Sequence, residues 1–192
     1  MIIFFLISFI TNIIGPLIPD IIQNFKLSLT AAGILPFSFF IAYGLFSVPS
    51  GYLIEFYGEK KIIIIGLLIS LMGSLFFSLN TNYFSGIVSF LLIGTGMAIL
   101  QVSINPLLRS TTNAENFAFF SIMGQLFFGL ASFFSPIFYV EILSNKVINF
   151  IYNFNPKWIV IYWTFSIISL LLIFIISISK FPIKKQIGRA HV

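Results

Sequence analysis

The chain has 192 residues, of which 59% are hydrophobic and 8% are charged, and its net charge is +5. Soluble domains carry about 25% charged residues, so a soluble globular class is excluded and an all-α integral membrane protein is predicted. Cysteine is absent and His191 is the one histidine, which excludes a disulfide framework, thiolate chemistry and a histidine-based metal site inside the bundle. We expect no catalytic residue, no metal site, no cofactor and no nucleic-acid partner.

Six apolar stretches are each long enough to cross a bilayer as a helix, which takes about 20 residues. They are expected at residues 2–22, 31–54, 62–79, 83–108, 117–140 and 158–179, in one bundle over residues 1–185. The first begins almost at Met1 without a charged leader or a small-residue cleavage site, so a membrane span is expected there and not a signal peptide. In the longest link, the apolar stretch VINFIYNF (147–154) can lie in the membrane interface.

Two further patterns concern the surroundings of the spans. Trp158, Tyr162 and Trp163 are expected in an aromatic belt at the membrane surface.

The cations divide unequally between the two sets of loops, six against three: Lys60, Lys61, Arg109, Lys180, Lys184 and Lys185 on one side, and Lys26, Lys146 and Lys157 on the other. The positive-inside rule therefore predicts that both ends are cytoplasmic, in a plasma (inner) membrane.

The last residues of the chain, QIGRAHV (186–192), stand apart from the spans. They resemble the translation of a widely used DNA-sequencing adapter. We interpret them as read-through, to be left out of fold reasoning, which implies that the coding sequence continued past Lys185. An ordinary basic tail after the last span is the alternative.

The segment between the second and third spans reads GYLIEFYGEKK (51–61). It resembles the loop motif of the major facilitator superfamily, Gly-x-Leu-x-Asp-Arg-x-Gly-Arg-Arg/Lys. The positions that fit are Gly51, Leu53, Glu55 (in place of aspartate), Gly58, Lys60 and Lys61, whereas Phe56 replaces the arginine. Glycine permits close helix contact and a turn with positive φ, and the charges can pair with helix ends. The resemblance implies a structural or gating loop; a generic loop with positive-inside lysines is the alternative.

Span four contains LQVSINPLLR (100–109). Through Gln101, Asn105 and Pro106 it resembles the fucose/glucose/galactose permease branch of that superfamily, the branch of the fucose:proton symporter. Residues 9–25 and 37–55 resemble the first two spans of the same branch. Family members have twelve spans in two halves around a central cavity. The resemblance therefore implies the N-terminal half of such a fold and transport of a small polar solute, a sugar in first place, by alternating access, with a C-terminal six-helix half as the missing partner.

Polar side chains within the spans are the candidate solute-binding residues. Gln101 and Asn105 are four residues apart and share one helix face, and Pro106 removes a backbone bond and can bend the helix. Amides both donate and accept, as sugar hydroxyls require. The substrate-binding set that follows is Gln101, Asn105, Gln125, Asn12 and Tyr43. For the amides, hydrogen bonding between packed helices is the alternative, and for Tyr43 it is lipid or core packing. Arg109, next to Glu115 in a loop, is expected to be topological or half of a gating ion pair.

One departure from the branch concerns coupling. Its proton-coupled members carry an Asn-Asp pair in span one, and the fucose permease carries a glutamate in span four. Here those positions hold Ile14, Gly15 and Gln101, which cannot take up a proton near neutral pH. That proton mechanism therefore does not carry over, and sodium coupling, no coupling, or a coupling site in the missing half stay open. Asp20 is expected to be solvated at the outer end of span one.

Two other functions remain from the sequence. One is an exporter of drugs or other metabolites on the same fold, and the other is a non-transporting membrane protein such as a scaffold or an intramembrane enzyme. An intramembrane hydrolase would need an acid pair, a Ser/His pair or a metal cluster within the spans. The acids all lie at span ends: Asp20, Glu55, Glu59, Glu115 and Glu141. An enzyme is therefore not expected.

Overall fold

A computed structural model describes residues 1–144 and 156–179. Over these residues the chain forms α1 (Ile2–Phe25), α2 (Leu29–Tyr57), α3 (Glu59–Leu79), α4 (Tyr83–Thr111), α5 (Ala114–Ser144) and α6 (Val160–Ile178). A short 3-10 turn, Lys157–Ile159, leads into α6. All six, with that turn counted in the last, are long and apolar enough to cross a membrane, so the predicted all-α membrane fold with six spans is confirmed. The expected interfacial stretch 147–154 and the tail 186–192 lie outside the described residues.

Most helices extend about one turn beyond the predicted apolar stretches, and side-chain caps mark the starts of α2 and α4. The Ser28 hydroxyl accepts a hydrogen bond from the Ala31 amide (3.2 Å) and starts α2. The Asn82 side chain accepts a hydrogen bond from the Ser85 amide (2.9 Å), and the Ser85 hydroxyl accepts one from the Asn82 backbone amide. These two bonds form a capping box at the start of α4. Lys26 ends α1 in the left-handed conformation, with φ of 52°.

The helices pack in pairs around α4. This helix contacts α2 on one side and α3 on the other, while α1 packs against α5 and α3 against α6. In their most apolar stretches, 61% of α4 and 50% of α1 are buried, against 28% of α2 and 17% of α5. Helices α1 and α4 are therefore better enclosed than α2 and α5, whose apolar surfaces are largely uncovered by the rest of the described chain.

The two ends of the bundle are distinguished by their turns. We call the end that holds the α2–α3 turn (57–59) the motif end. The end that holds the α1–α2 turn (26–28) and the α3–α4 turn (80–82) is called the opposite end. There the Tyr83 hydroxyl donates to the Ala31 carbonyl (2.8 Å) and joins the starts of α4 and α2.

Glycines let the backbones of neighbouring helices approach closely around α4. A Cβ added to Gly96 would clash with the Ser70 hydroxyl and lie 2.5 Å from the carbonyl oxygen of Gly66, in α3. A Cβ added to Gly94 would clash with the carbonyl group of Phe39, in α2. Contacts between small residues are the usual means of helix association in membranes, where lipid is as apolar as leucine. They explain why α4 occupies the middle of the bundle.

The expectation of an aromatic belt is wrong for Trp158 and Tyr162. Both side chains are buried, and the Phe77 ring lies 5.4 Å from the Trp158 ring and 4.7 Å from the Tyr162 ring. Phe25 of α1 also meets Trp158, at 5.9 Å. These rings fill the space between α1, α3 and α6 near the opposite end, because Trp158, in the turn before α6, and the face of α6 that carries Tyr162 both point inward. Trp163 is half-buried.

We expect Gly96→Ala to lower the free energy of unfolding by about 1–3 kcal/mol, since the added methyl group meets backbone atoms that cannot move aside. Gly129→Ala is the matched control, because nothing lies within 4 Å of a Cβ at that position; replacing glycine in a helix should there leave stability unchanged or raise it by up to about 1 kcal/mol. Unfolding by denaturing detergent, followed by circular dichroism, measures both. Equal stability of the two variants would contradict close packing at Gly96.

Candidate functional site

The polar face of α4 carries Gln101 and Asn105, one turn apart. Gln101 is half-buried, and its side-chain oxygen is enclosed without a hydrogen-bond partner in the described part of the chain. Asn105 is exposed. Pro106 follows at once and leaves the Val102 carbonyl without its helical donor. By contrast, Ser103 is buried and donates back to the Ile99 carbonyl (2.7 Å), so the accessible polar groups of this segment lie on one side.

Asn12 is tied to its own helix and, through a serine, to α5. Its side-chain nitrogen donates to the Ser8 carbonyl (2.8 Å) and to the Ser8 hydroxyl (3.2 Å). The Ser8 hydroxyl in turn donates to the Phe128 carbonyl of α5 (2.6 Å). These bonds fix the orientation of the Asn12 amide.

Gln125 and Tyr43 lie on the two less buried helices. Gln125 is exposed on α5, beside Gly124, which is buried against the Phe4 ring of α1. Tyr43 is half-buried on α2, and its ring stacks on that of Phe39, with centroids 6.1 Å apart. Within the described residues no hydrogen bond joins any two of the five predicted solute-binding residues, so each offers its polar group separately.

The α2–α3 turn brings a cation to the end of another helix. Gly58 makes the turn with φ of 80°, a conformation that favours glycine. The Lys60 ammonium donates to the carbonyls of Ser177 (2.7 Å) and Ser179 (2.8 Å), at the end of α6. The last carbonyls of a helix lack intrahelical donors and carry partial negative charge, so a lysine there satisfies them and complements the dipole. Lys61 is exposed.

The acid of this turn that becomes buried is not the one that the motif indicates. Glu55 is exposed, whereas Glu59, the first residue of α3, is only 7% exposed. Its position immediately after Gly58 was the available signal, because acids are favoured in the first turn of a helix. Gly51 makes an ordinary contact with Val102, whose methyl group lies 3.8 Å from a Cβ added there.

The ion pair between Arg109 and Glu115, one of the two interpretations of Arg109, is not formed in this structure. Arg109 and Glu115 are both exposed, and no salt bridge joins them in the described chain.

Asp20 differs from the expectation that it is solvated. It is half-buried, and its carboxylate accepts a hydrogen bond from the hydroxyl of Tyr139, a residue of α5 that is 3% exposed. Sequence reasoning missed this pair because 119 residues separate its members. The one available signal was that Asp20 is the only aspartate of the chain.

Comparison of the sequence with known proteins identifies relatives of this chain. The sequence model of the Major Facilitator Superfamily matches residues 1–191. A glucose/galactose transporter of Brucella abortus is 31% identical over 140 residues, a match that covers 70% of this chain and 34% of that protein. The L-fucose-proton symporter of Escherichia coli is 24% identical over 147 residues, covering 75% of this chain and 34% of the symporter. The matches thus span about a third of the length of these relatives.

Solved structures show the same fold. A crystal structure of the E. coli fucose:proton symporter FucP superimposes with a TM-score of 0.70 at 21% identity, covering 94% of this chain and 49% of FucP. A structure of FucP in the outward conformation gives a TM-score of 0.71 at 22% identity, over 94% and 48% of the two chains. The six helices thus correspond to about half of that transporter fold.

We expect Lys60→Met to lower the midpoint of thermal unfolding by about 2–4 °C, because two charge-assisted hydrogen bonds at the end of α6 are lost at a net cost of roughly 1 kcal/mol. Lys61→Met, which removes the neighbouring exposed cation, is the matched control and should leave the midpoint unchanged. Circular dichroism in detergent micelles measures both midpoints. The same midpoint for both variants would mean that Lys60 does not hold α6.

Proposed function

The chain belongs to the major facilitator superfamily, and we propose that it forms one half of a transporter that moves a small polar solute, a sugar in first place, by alternating access. The second half of the pathway would be a further six-helix bundle. We propose transport without catalysis, in accordance with membership of a transporter family. Sugar is favoured because one relative is named a glucose/galactose transporter and another an L-fucose-proton symporter.

The observation that carries this proposal is the exposure of amide side chains on membrane helices. Asn105 of α4 and Gln125 of α5 are both exposed, on helices otherwise rich in apolar residues. An amide that faces hydrocarbon without a partner costs several kcal/mol. A water-filled solute path, or contact with the second half, removes that cost. The exposed amides therefore favour a path along α4 and α5.

The chemistry of these groups fits a sugar. Amides donate and accept hydrogen bonds, which matches a ring of hydroxyl groups. The Asn12 amide is held in place by Ser8, and a fixed donor or acceptor loses less entropy on binding. The half-buried ring of Tyr43 offers an apolar face with a hydroxyl beside it. We therefore assign solute binding to Gln101, Asn105, Gln125, Asn12 and Tyr43.

The coupling ion and the orientation are further parts of the proposal. Gly15 and Gln101 cannot bind a proton, so this half does not use those two positions for proton coupling. In the sequence, the set of loops that includes Lys60 and Lys61 carries six lysine and arginine residues against three in the other set, which favours a plasma-membrane protein with the motif end in the cytoplasm. The loop motif, with Gly51, Glu55, Gly58, Lys60 and Lys61, would then support the cytoplasmic gate.

In the full-length protein, we expect Gln101→Ala to reduce uptake of a radiolabelled hexose by about tenfold, because the loss of one or two hydrogen bonds to solute costs roughly 1.5 kcal/mol. Gln23→Ala, which replaces an exposed glutamine near the end of α1, is the matched control and should leave uptake unchanged. Uptake into cells, normalised to the membrane abundance of each variant, makes the comparison. Unaltered uptake by the Gln101 variant at equal abundance would refute the assignment of Gln101.

A further inference from the structure

Three side-chain hydrogen bonds between described residues join α1 and α5. The Ser8 hydroxyl of α1 donates to the Phe128 carbonyl of α5 (2.6 Å). In the reverse direction, the Ser135 hydroxyl of α5 donates to the Phe9 carbonyl of α1 (2.9 Å). The Tyr139 hydroxyl of α5 donates to the Asp20 carboxylate of α1, nearer the opposite end. The two helices are therefore tied along much of their shared length.

Prolines divide these contacts into two groups. In α1, Pro16 and Pro19 each remove a backbone hydrogen bond, and Pro136 does the same in α5. Both serine-mediated bonds involve residues that precede the prolines of their helix. The bond between Asp20 and Tyr139 joins residues that follow them. We call residues 20–25 of α1 and 137–144 of α5 the end segments; the Asp20–Tyr139 bond connects them beyond the prolines of both helices.

The chemistry of the pair makes the bond strong. Asp20 lies near the carboxyl end of α1, where the helix dipole disfavours an anion, and the last turn of α1 contains no basic residue. A hydroxyl that donates to a carboxylate forms a charge-assisted bond, about twice as strong as a neutral one. Tyr139 is buried, so its hydroxyl needs a partner. Asp20 forms no ion pair with the described residues, and the exposed Lys26 follows the end of α1.

The surroundings of the end segments differ between the two helices. In the α1 segment, Ile21 is fully buried and Phe25 meets the Trp158 ring. In the α5 segment, the buried residues are Tyr139 and Ile142, which continue a narrow stripe along that helix. The Phe138 ring of the α5 segment meets the Phe9 ring of α1, with centroids 5.1 Å apart, and Tyr139 supplies the hydrogen bond to Asp20.

We propose that the end segments of α1 and α5 move as one unit, which bends at the prolines and is coupled by the Asp20–Tyr139 bond. When α1 bends beyond Pro19, the bond carries the α5 segment with it. The unit lies at the opposite end of the bundle, where it can open or close one mouth of a path between helices. This coupling concerns motion within the chain and does not depend on which solute is carried.

Hydrogen–deuterium exchange of the chain in lipid nanodiscs, followed by mass spectrometry, tests the coupling. Tyr139→Phe and Asp20→Ala each remove one partner. We expect either variant to accelerate amide exchange about tenfold in both end segments, because a bond to a charged group is lost. The double variant should exchange no faster than the single ones. Asp20→Asn keeps a neutral acceptor for the Tyr139 hydroxyl and should give exchange rates between those of the unsubstituted chain and of Asp20→Ala.

Tyr83→Phe is the matched control. It removes another tyrosine hydroxyl that bonds between helices at the same end of the bundle, from α4 to the Ala31 carbonyl of α2. Exchange in the two end segments should remain as in the unsubstituted chain.

Two outcomes would overturn the proposal. Acceleration only in the segment that carries the substitution would mean that the segments move independently. A double variant whose acceleration equals the product of the single effects would mean that the two residues act separately. Should a variant fail to fold, amide exchange of the unsubstituted chain is measured at rising temperature. Coupled end segments lose their protection from exchange at the same temperature, whereas uncoupled segments lose it at two different temperatures. No solute is present in these measurements, so their result is separate from that of the uptake assay.

Discussion

Backbone hydrogen bonding in a layer without water is the constraint on which the rest of this structure depends, because each unsatisfied peptide group there costs several kcal/mol. It makes every described span a helix. It also makes each proline within a span costly, since each breaks a backbone hydrogen bond that water cannot replace there. Among the described helices, four contain prolines: Pro16 and Pro19 in α1, Pro36 and Pro49 in α2, Pro106 in α4, and Pro136 in α5. Helices α3 and α6 contain none and are bound to each other through Lys60. The bundle thus combines two uninterrupted helices with four that carry built-in weak points.

The fold could be predicted largely from sequence, because apolar length alone identifies a span. Most helices were shorter in the prediction than in the structure; at α2, for example, capping by Ser28 starts the helix two residues before the predicted stretch. The burial of Trp158 and Tyr162 was missed for another reason. Most residues of α6 are apolar, so its sequence does not reveal which face points inward; contacts with Phe77, about 80 positions earlier in the chain, decide it.

The candidate site was less predictable than the fold. The four-residue spacing of Gln101 and Asn105 correctly indicates one face, but it does not reveal that Gln101 is half-buried while Asn105 is exposed. Likewise, the amide of Asn12 identifies a polar position, yet its orientation depends on Ser8 and on a carbonyl of α5. In the loop motif, the pattern indicates Glu55 as the acid, whereas packing buries Glu59. How far a side chain such as Gln101 is buried depends on the helices that pack beside it, which no local pattern contains.

The separation in sequence of the side-chain bonds between helices also determines the order in which the bundle can be completed. Lys60 and Ser177 are 117 residues apart, and Ser8 and Phe128 are 120 apart. At a synthesis rate of about 5–20 residues per second, α1 and α3 wait roughly 6–24 seconds before their partners leave the ribosome. During that time the Asp20 carboxylate and the Lys60 ammonium lack their final partners, and lipid headgroups or water must serve in their place. The charged groups that hold the finished bundle together are therefore also the ones that its unfinished form must keep at the membrane surface.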